Sequence, residues 1–234
     1  PSAAEWQRAN MQGWYFADRN EPIRETIARM ASLPLDAHPG ESWIYGYNTD
    51  ILGAVVEVVS GENLADFFAN NIFAPLGMND THFYLPAEKR ARLATVYRPK
   101  DGGGIEAIPE TNGMQSQGLY AEGPQQSYSG GAGLLSTAAD YAKFLQMTLN
   151  GGEYNGERLV SRKTIELMTT DHLGEIEFRP GQGFGLGFSI ATDLGLRGTL
   201  GSEGEYAWGG AYHSTYWVDP TEGLVVVYLT QIIP

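Results

Sequence analysis

Two short stretches hold residues whose types and spacing could do chemistry. "WIYGYNTDILG", Trp43 to Gly53, follows a Pro-Gly turn and places Tyr45, Tyr47 and Asn48 where the chain enters an apolar run. Polar aromatic groups at the mouth of a core element are costly unless they are partnered or put to use. Tyr45 therefore reads either as a packing tyrosine or as a working group, and Asn48 as a helix cap. In "EYAWGGAYHSTYW", Trp208, Gly209 and Gly210 interrupt a strand-like pattern. Glycine inside a strand weakens its packing, so it marks a bulge or bend, or a close backbone approach to a ligand.

Other chemistries find less support. His38, His82, His172 and His213 lack the i, i+4 spacing of a helical metal site. The absence of cysteine removes disulfides, thiolate nucleophiles and cysteine-based zinc sites together. No Gly-x-Ser-x-Gly elbow occurs, which counts against an ordinary α/β-hydrolase. "GFGLGF" resembles a nucleotide-binding glycine pattern, but no helix follows and its alternating aromatics read as a strand. Neither a metal nor a cofactor is expected.

Composition sets the frame. With 42% hydrophobic and 18% charged residues, the 234-residue chain has an ordinary globular balance. The net charge of −13 and thinly spread lysines and arginines exclude a nucleic-acid surface, which needs clustered cations. No apolar run is long enough to span a bilayer, so no membrane partner is expected.

The elements that must position the two stretches read as helices first and strands last. "NEPIRETIARMASL" has helical spacing, with Asn20 as cap and Pro22 in the first turn. "TDILGAVVEVVSG" is apolar on nearly every side and stops at Gly61, which predicts a buried helix. "ENLADFFANNIFAPLGM" continues helical until Pro75 and Gly77 end it, and "STAADYAKFLQMTLNGG" and "SRKTIELMTTDH" carry the capping residues Thr137 and Ser161. Between Pro86 and Gly133 the pattern is irregular, as in loops that line or cover a site. Phe184, Leu186, Phe188 and Ile190 alternate as one strand with a buried face. "AYHSTYWVDP" and "GLVVVYLTQ" read as an antiparallel pair across an Asp-Pro-Thr-Glu-Gly turn.

These elements and motifs together resemble a known family. "HPGESWIYGYNTDILGAVVEVVSG", "IFAPLGMNDTHFYLP", "GGAGLLSTAADYAKFLQMTLNGGEYNGERLVSRKTIELMTTDHL", "GFGLGFSI" and "WGGAYHSTYWVDP" are similar to the serine β-lactamase-like hydrolases, most closely to the family VIII carboxylesterases. The resemblance implies an α+β chain of the β-lactamase/transpeptidase-like fold, with a helical subdomain and an antiparallel sheet flanked by helices, incomplete at both ends. Residues 1–180 would form the mainly helical part with its site-lining loop, and 181–234 the strands of the sheet.

In that family a Ser-x-x-Lys pair supplies nucleophile and amine, a tyrosine box relays protons, and a strand motif forms the far wall. The tyrosine box falls on Tyr45-Gly46-Tyr47, which implies Tyr45 as the catalytic proton relay. Tyr47, where penicillin-recognising members have asparagine, becomes a substrate contact. The strand motif falls on Trp208-Gly209-Gly210, and the backbone N–H of Ala211 becomes half of an oxyanion hole. His213 lies where esterase relatives often have glycine, either narrowing the pocket or moving protons. The chemistry is coherent: a serine hydroxyl needs a base, and an ammonium beside a phenol favours the phenolate that can act as one. Cleavage of short-chain carboxylic esters through an acyl-enzyme is the expected activity, with weak β-lactam hydrolysis as a possible side reaction. A class C-like β-lactamase or D-amino-acid peptidase or amidase is the alternative, and a non-catalytic binding homologue is the reading from another class.

One departure matters. The lysines are Lys89, Lys100, Lys143 and Lys163, and Pro86, Tyr97, Asp140 and Val160 stand three before them, so Ser-x-x-Lys is absent. The expected partners are thus a small-molecule ester and a segment carrying Ser-x-x-Lys, supplied upstream of Pro1 or by a separate chain. Without that segment and a final helix, the sheet is expected to have open edges and the polypeptide alone to be insoluble or inactive.

Overall fold

The computed structural model describes residues 2–11, 16–109 and 117–233. Helices α1 (Ser2–Arg8) and α2 (Ile23–Met30) lead to α3 (Asn48–Ser60) and α4 (Leu64–Phe68), which continues through one wide turn into the short α5 (Ala74–Leu76). A small ribbon of β1 (Tyr97–Pro99) and β2 (Ile105–Ala107) and helix α6 (Gly118–Glu122) precede α7 (Ala138–Leu149). A second ribbon, β3 (Glu153–Tyr154) with β4 (Glu157–Arg158), leads to α8 (Arg162–Met168). The main sheet then forms from β5 (Gln182–Phe184), β6 (Ser189–Ala191), β7 (Tyr206–Gly209), β8 (Thr215–Asp219) and β9 (Leu224–Tyr228), with α9 (Leu194–Arg197) between β6 and β7. Its strands are paired in chain order and all antiparallel.

Local chemistry explains most boundaries. Gly61 and Gly77 end α3 and α5 with φ of +75° and +65°, a backbone state glycine enters freely. Thr137 and Ser161 accept hydrogen bonds from the backbone N–H groups of Asp140 and Thr164, as expected of N-caps. Between β8 and β9, Asp219 Oδ1 accepts from the N–H groups of Thr221 and Glu222 at 3.0 and 3.1 Å, which closes the Asp-Pro-Thr-Glu-Gly turn.

Helix α7 packs on one face of the main sheet. Leu145 meets Phe188, Ile190, Tyr206, Tyr216 and Val218 in a buried cluster. One polar contact is embedded there: Thr148 Oγ1 donates to the Leu145 carbonyl at 2.7 Å and lies 2.7 Å from the Tyr206 hydroxyl. A second cluster joins Phe73, Leu76 and Met78 to Met147 and Ile165. The "PLGM-x-DT" segment is tied to α7 by Asp140, which accepts from Asp80 N–H at 2.6 Å and pairs with Lys143 at 2.9 Å.

Several expectations need correction. Helix α3 is not buried: Leu52, Val58 and Val59 are 60%, 70% and 77% exposed, while Asp50, Gly53, Ala54 and Glu57 face inward. Its polar side is inside because its carboxylates serve backbone donors. Glu57 Oε1 accepts from Leu64 N–H at 3.0 Å, and Asp50 is bound as described below. Gly53 permits the close packing, since a Cβ there would lie 2.9 Å from Leu64 Cδ2.

The helix starts also differ. Pro22 rather than Asn20 occupies the cap position of α2, and Tyr47 rather than Asn48 that of α3, with no side-chain cap bond at either. The Phe184–Ile190 run is two strands rather than one. Gly187, at φ +98°, and the Gly185 N–H to Phe188 carbonyl bond of 2.8 Å turn β5 back into β6. Likewise Trp208-Gly209-Gly210 does not interrupt a strand. It ends β7, and residues 210–214 form the loop into β8. The irregular stretch from Pro86 contains a 3₁₀ turn (Ala87–Arg92), the β1–β2 ribbon and α6, and its residues 110–116 lie outside the described residues. Helix α1 had no forecast from the sequence.

Candidate active site

The tyrosine segment is launched by a tight turn. In His38-Pro39-Gly40-Glu41, the Glu41 N–H donates to the His38 carbonyl at 3.1 Å and Gly40 has φ +88°, the signature of a type II turn. An equivalent turn, Arg179-Pro180-Gly181-Gln182, starts β5: Gln182 N–H donates to the Arg179 carbonyl at 3.0 Å, and Gly181 has φ +66°. Proline fixes one central residue and glycine permits the other, so both chain entries have defined directions.

Aromatic rings from the two regions meet. The Trp43 ring lies 4.6 Å from Phe178, 5.6 Å from Phe184 and 6.3 Å from Trp208, centre to centre. Phe184 meets Trp208 edge-on at 5.2 Å. Tyr45 stacks on Trp208 at 6.2 Å with an interplanar angle of 27°, and on Trp43 at 6.0 Å. Such pairs add roughly 0.5–1.5 kcal/mol beyond the area they bury. The cluster thus joins the tyrosine box to the end of β7. Tyr45 is 72% exposed, so its ring forms an open rim.

The first turn of α3, which follows the tyrosine box, is anchored by polar, buried contacts. Asp50, in the first turn of α3, is 2% exposed. Its Oδ1 accepts from Ser129 Oγ at 2.6 Å and from Gly131 N–H at 3.2 Å. Burial pushes its carboxyl up from the usual carboxylate range, and these hydrogen bonds oppose the rise. The glycines of "SGGAG" fit against this turn. A Cβ at Gly130 would run into the Thr49 carbonyl oxygen, and one at Gly131 would lie 2.5 Å from Asp50 Oδ2.

The other expected residues are placed as follows. Tyr47 turns away from Trp208 and stacks on Trp6 at 5.6 Å, with Phe16 at 5.4 Å. Burial, then the nearby Asp50 carboxylate, raises its phenol above the ordinary value, which suits a packing role. Gly209 and Gly210 lie where β7 meets its loop. A Cβ at Gly210 would make only ordinary contacts with Ser214, so the fold described here does not itself demand glycine there. Ala211 is exposed, and among the described residues its N–H has no acceptor, whereas Gly210 N–H donates to the Ser214 carbonyl at 2.8 Å. His213 has φ +60°, the backbone state glycine favours, and its Nδ1 lies 2.9 Å from the Ile232 carbonyl oxygen. The structure therefore brings Tyr45 to Trp208, while Tyr47 and His213 have structural partners of their own. Trp43, Phe178, Phe184 and Arg179 were not read as site residues from the sequence, although Trp43 opens the tyrosine stretch and Phe184 belongs to the alternating aromatics of "GFGLGF".

Comparison with known proteins follows the same lines. A family model described as Beta-lactamase matches residues 3–232. The esterase EstB of Burkholderia gladioli is 33% identical over 224 residues, which cover 91% of this chain and 55% of that protein. The lovastatin esterase of Penicillium rubens (strain ATCC 28089 / DSM 1075 / NRRL 1951 / Wisconsin 54-1255) is 30% identical over 258 residues, covering 100% of this chain and 60% of that protein. Among solved structures, EstCE1, described as a hydrolase with promiscuous acyltransferase activity, aligns with a TM-score of 0.82 at 28% identity, over 100% of this chain and 62% of that one. The chain thus spans little more than half the length of these curated relatives, and its architecture is the β-lactamase/transpeptidase-like fold. With the motifs, the fold and a match along almost its entire length in agreement, the chain belongs to the Beta-lactamase family.

Proposed function

We propose that this chain carries the proton-relay and oxyanion parts of a serine hydrolase that cleaves short-chain carboxylic esters through an acyl-enzyme. The observation that carries the reading is the stacking of Tyr45 on Trp208, residues 163 positions apart in the sequence, at 6.2 Å. It sets a phenol beside the glycine-rich end of β7, where the Ala211 N–H has no acceptor among the described residues. In this reading the nucleophilic serine comes from a Ser-x-x-Lys segment outside the 234 residues, either an N-terminal stretch or a separate chain. The exposed aliphatic side of α3 supports a further polypeptide lying against this region, since contiguous apolar surface of that kind marks an interaction face.

The chemistry then runs in steps. The serine proton passes to the oxygen of Tyr45, acting as the phenolate that the ammonium of the Ser-x-x-Lys segment favours, as the hydroxyl attacks the ester carbonyl. The Ala211 N–H and the nucleophile's own N–H hold the developing oxyanion, a donor type whose loss costs ~10²–10³ in rate. Tyr45 returns the proton to the leaving alkoxide and then helps activate water for deacylation. Glycine at 209 and 210 leaves room for the substrate to approach the strand end.

The test compares 4-nitrophenyl butyrate with nitrocefin, using protein that carries both this chain and a Ser-x-x-Lys segment. Ester cleavage should dominate, and Tyr45→Phe should lower kcat about 10²–10⁴-fold with unfolding unchanged, because the hydroxyl is peripheral to the core. Preferential nitrocefin turnover would move the assignment to a β-lactamase. Full activity in Tyr45→Phe would remove Tyr45 from the mechanism.

A further inference from the structure

We propose that Arg179 determines specificity at this aromatic cluster by binding a carboxylate carried by the substrate; the inference rests on the ester-hydrolase reading above. The Arg179 guanidinium carbon lies 4.8 Å from the Phe178 ring centre and 5.5 Å from that of Trp208. Tyr45 stacks on the same indole, so the cation and the phenol flank one ring. Arg179 is exposed, and three features set it apart as a binding group.

Its backbone is fixed, because it opens the Arg179–Gln182 turn at the head of β5. Its side chain is held over two aromatic rings, an arrangement that suits a planar, weakly hydrated guanidinium and leaves its in-plane N–H donors free for a two-pronged carboxylate contact. Its charge is also unspent. Among the described residues it forms no ion pair and no hydrogen bond through its guanidinium, although Glu175 and Glu177 lie in the same loop. Most other arginines are engaged: Arg29 with Glu21, Arg92 with Asp80, Arg158 with Glu153 and Arg197 with Glu205. On a chain of net charge −13, an anionic ester meets general repulsion, so an uncommitted cation over the Trp208 ring is where such a substrate can be held. The substrate class is therefore an ester with a carboxylate on the part that lies along Trp208.

The test uses the folded protein that carries this chain and reads binding separately from turnover. Calorimetric titration compares 4-hydroxybenzoate with its neutral methyl ester. The acid should bind at least about fivefold more tightly. Arg179→Gln should erase that difference without weakening the methyl ester, and Arg179→Lys should keep part of it. In the kinetic arm, Arg179→Gln should raise KM for 4-butanoyloxybenzoate about five- to tenfold and leave its kcat, and both constants for the methyl ester of the same compound, unchanged. Equal binding of acid and methyl ester, binding of neither, or a preference that survives in Arg179→Gln overturns the proposal. Should anion preference depend on Arg179 while neither ester is cleaved, the anion site stands and the hydrolase reading fails.

Discussion

Asp50→Ala should cost about 3 kcal/mol of stability, and the sum can be worked from the contacts. The Ser129 hydroxyl donates to the carboxylate at 2.6 Å, the short, charge-assisted kind of bond worth roughly 1.5–3 kcal/mol. The Gly131 N–H adds a longer bond at 3.2 Å, worth about 1 kcal/mol. A negative charge in the first turn of α3 contributes a few tenths more, about 0.3–1 kcal/mol. Against these stands the cost of burying the carboxylate, visible in its raised proton affinity. Ser129→Ala alone should cost about 2 kcal/mol, and the double variant less than the sum of the two, because both remove the Ser129–Asp50 bond while only Ser129→Ala loses the bond from Ala132 N–H. Urea denaturation followed by tryptophan fluorescence reads all three. Because α3 begins three residues after Tyr45, loosening its first turn should also lower kcat/KM in protein that carries both this chain and the nucleophile. An Asp50→Ala cost below about 0.5 kcal/mol, or strict additivity in the double variant, would refute the account of how α3 is anchored.

Other expectations concern the core, acid stability and the exposed helix. Thr148 donates to the Leu145 carbonyl and so must accept from Tyr206; Tyr206→Phe should cost about 1 kcal/mol, and Thr148→Val about 2, because it strands a buried phenol. Equal costs in a denaturation series would reverse that donor assignment. The Glu21 carboxyl is held down to about 2, chiefly by its hydrogen bonds from Arg29. A depressed acid stabilises the fold above its unfolded value near 4.5 and loses that contribution as pH falls toward 2. With Arg29 half-exposed the effect is about 1 kcal/mol after screening. Glu21→Gln should flatten the acid limb of a melting-temperature profile between those values. Leu52→Ser with Val59→Ser should reduce light scattering by the 234-residue chain on its own, since both side chains are exposed. Unchanged scattering would place the sticky surface elsewhere.

Much of this molecule was readable locally, and what was not has a common cause. Gly61, Gly77, Thr137 and Ser161 end or begin their helices as their chemistry requires, since caps depend on residues within one turn. The Asp219 turn was equally legible. The orientation of α3 was not, because apolar periodicity cannot report that Ser129 and Leu64 would offer donors to its carboxylates. Alternation in Phe184–Ile190 disguised a turn that depends on Gly187 at φ +98°. At the candidate site, motif resemblance pointed to Tyr45 and Trp208, and the structure stacks their rings. Tyr47 was expected at the substrate but packs on Trp6, and Arg179 leaves no local signature because its second ring lies across the sheet.

The strand order of the main sheet has a consequence for how the molecule assembles. Pairs β5–β6, β7–β8 and β8–β9 join near neighbours in the chain, so they close small loops at little entropic cost. The Asp50–Ser129 contact instead closes a separation of 79 residues. Amide protection should therefore appear in β7–β9 before it appears in the first turn of α3 during refolding, as pulsed hydrogen exchange can time. The anchorage at the start of α3 would then be among the last parts of the chain to form, after most of its scaffold is already protected.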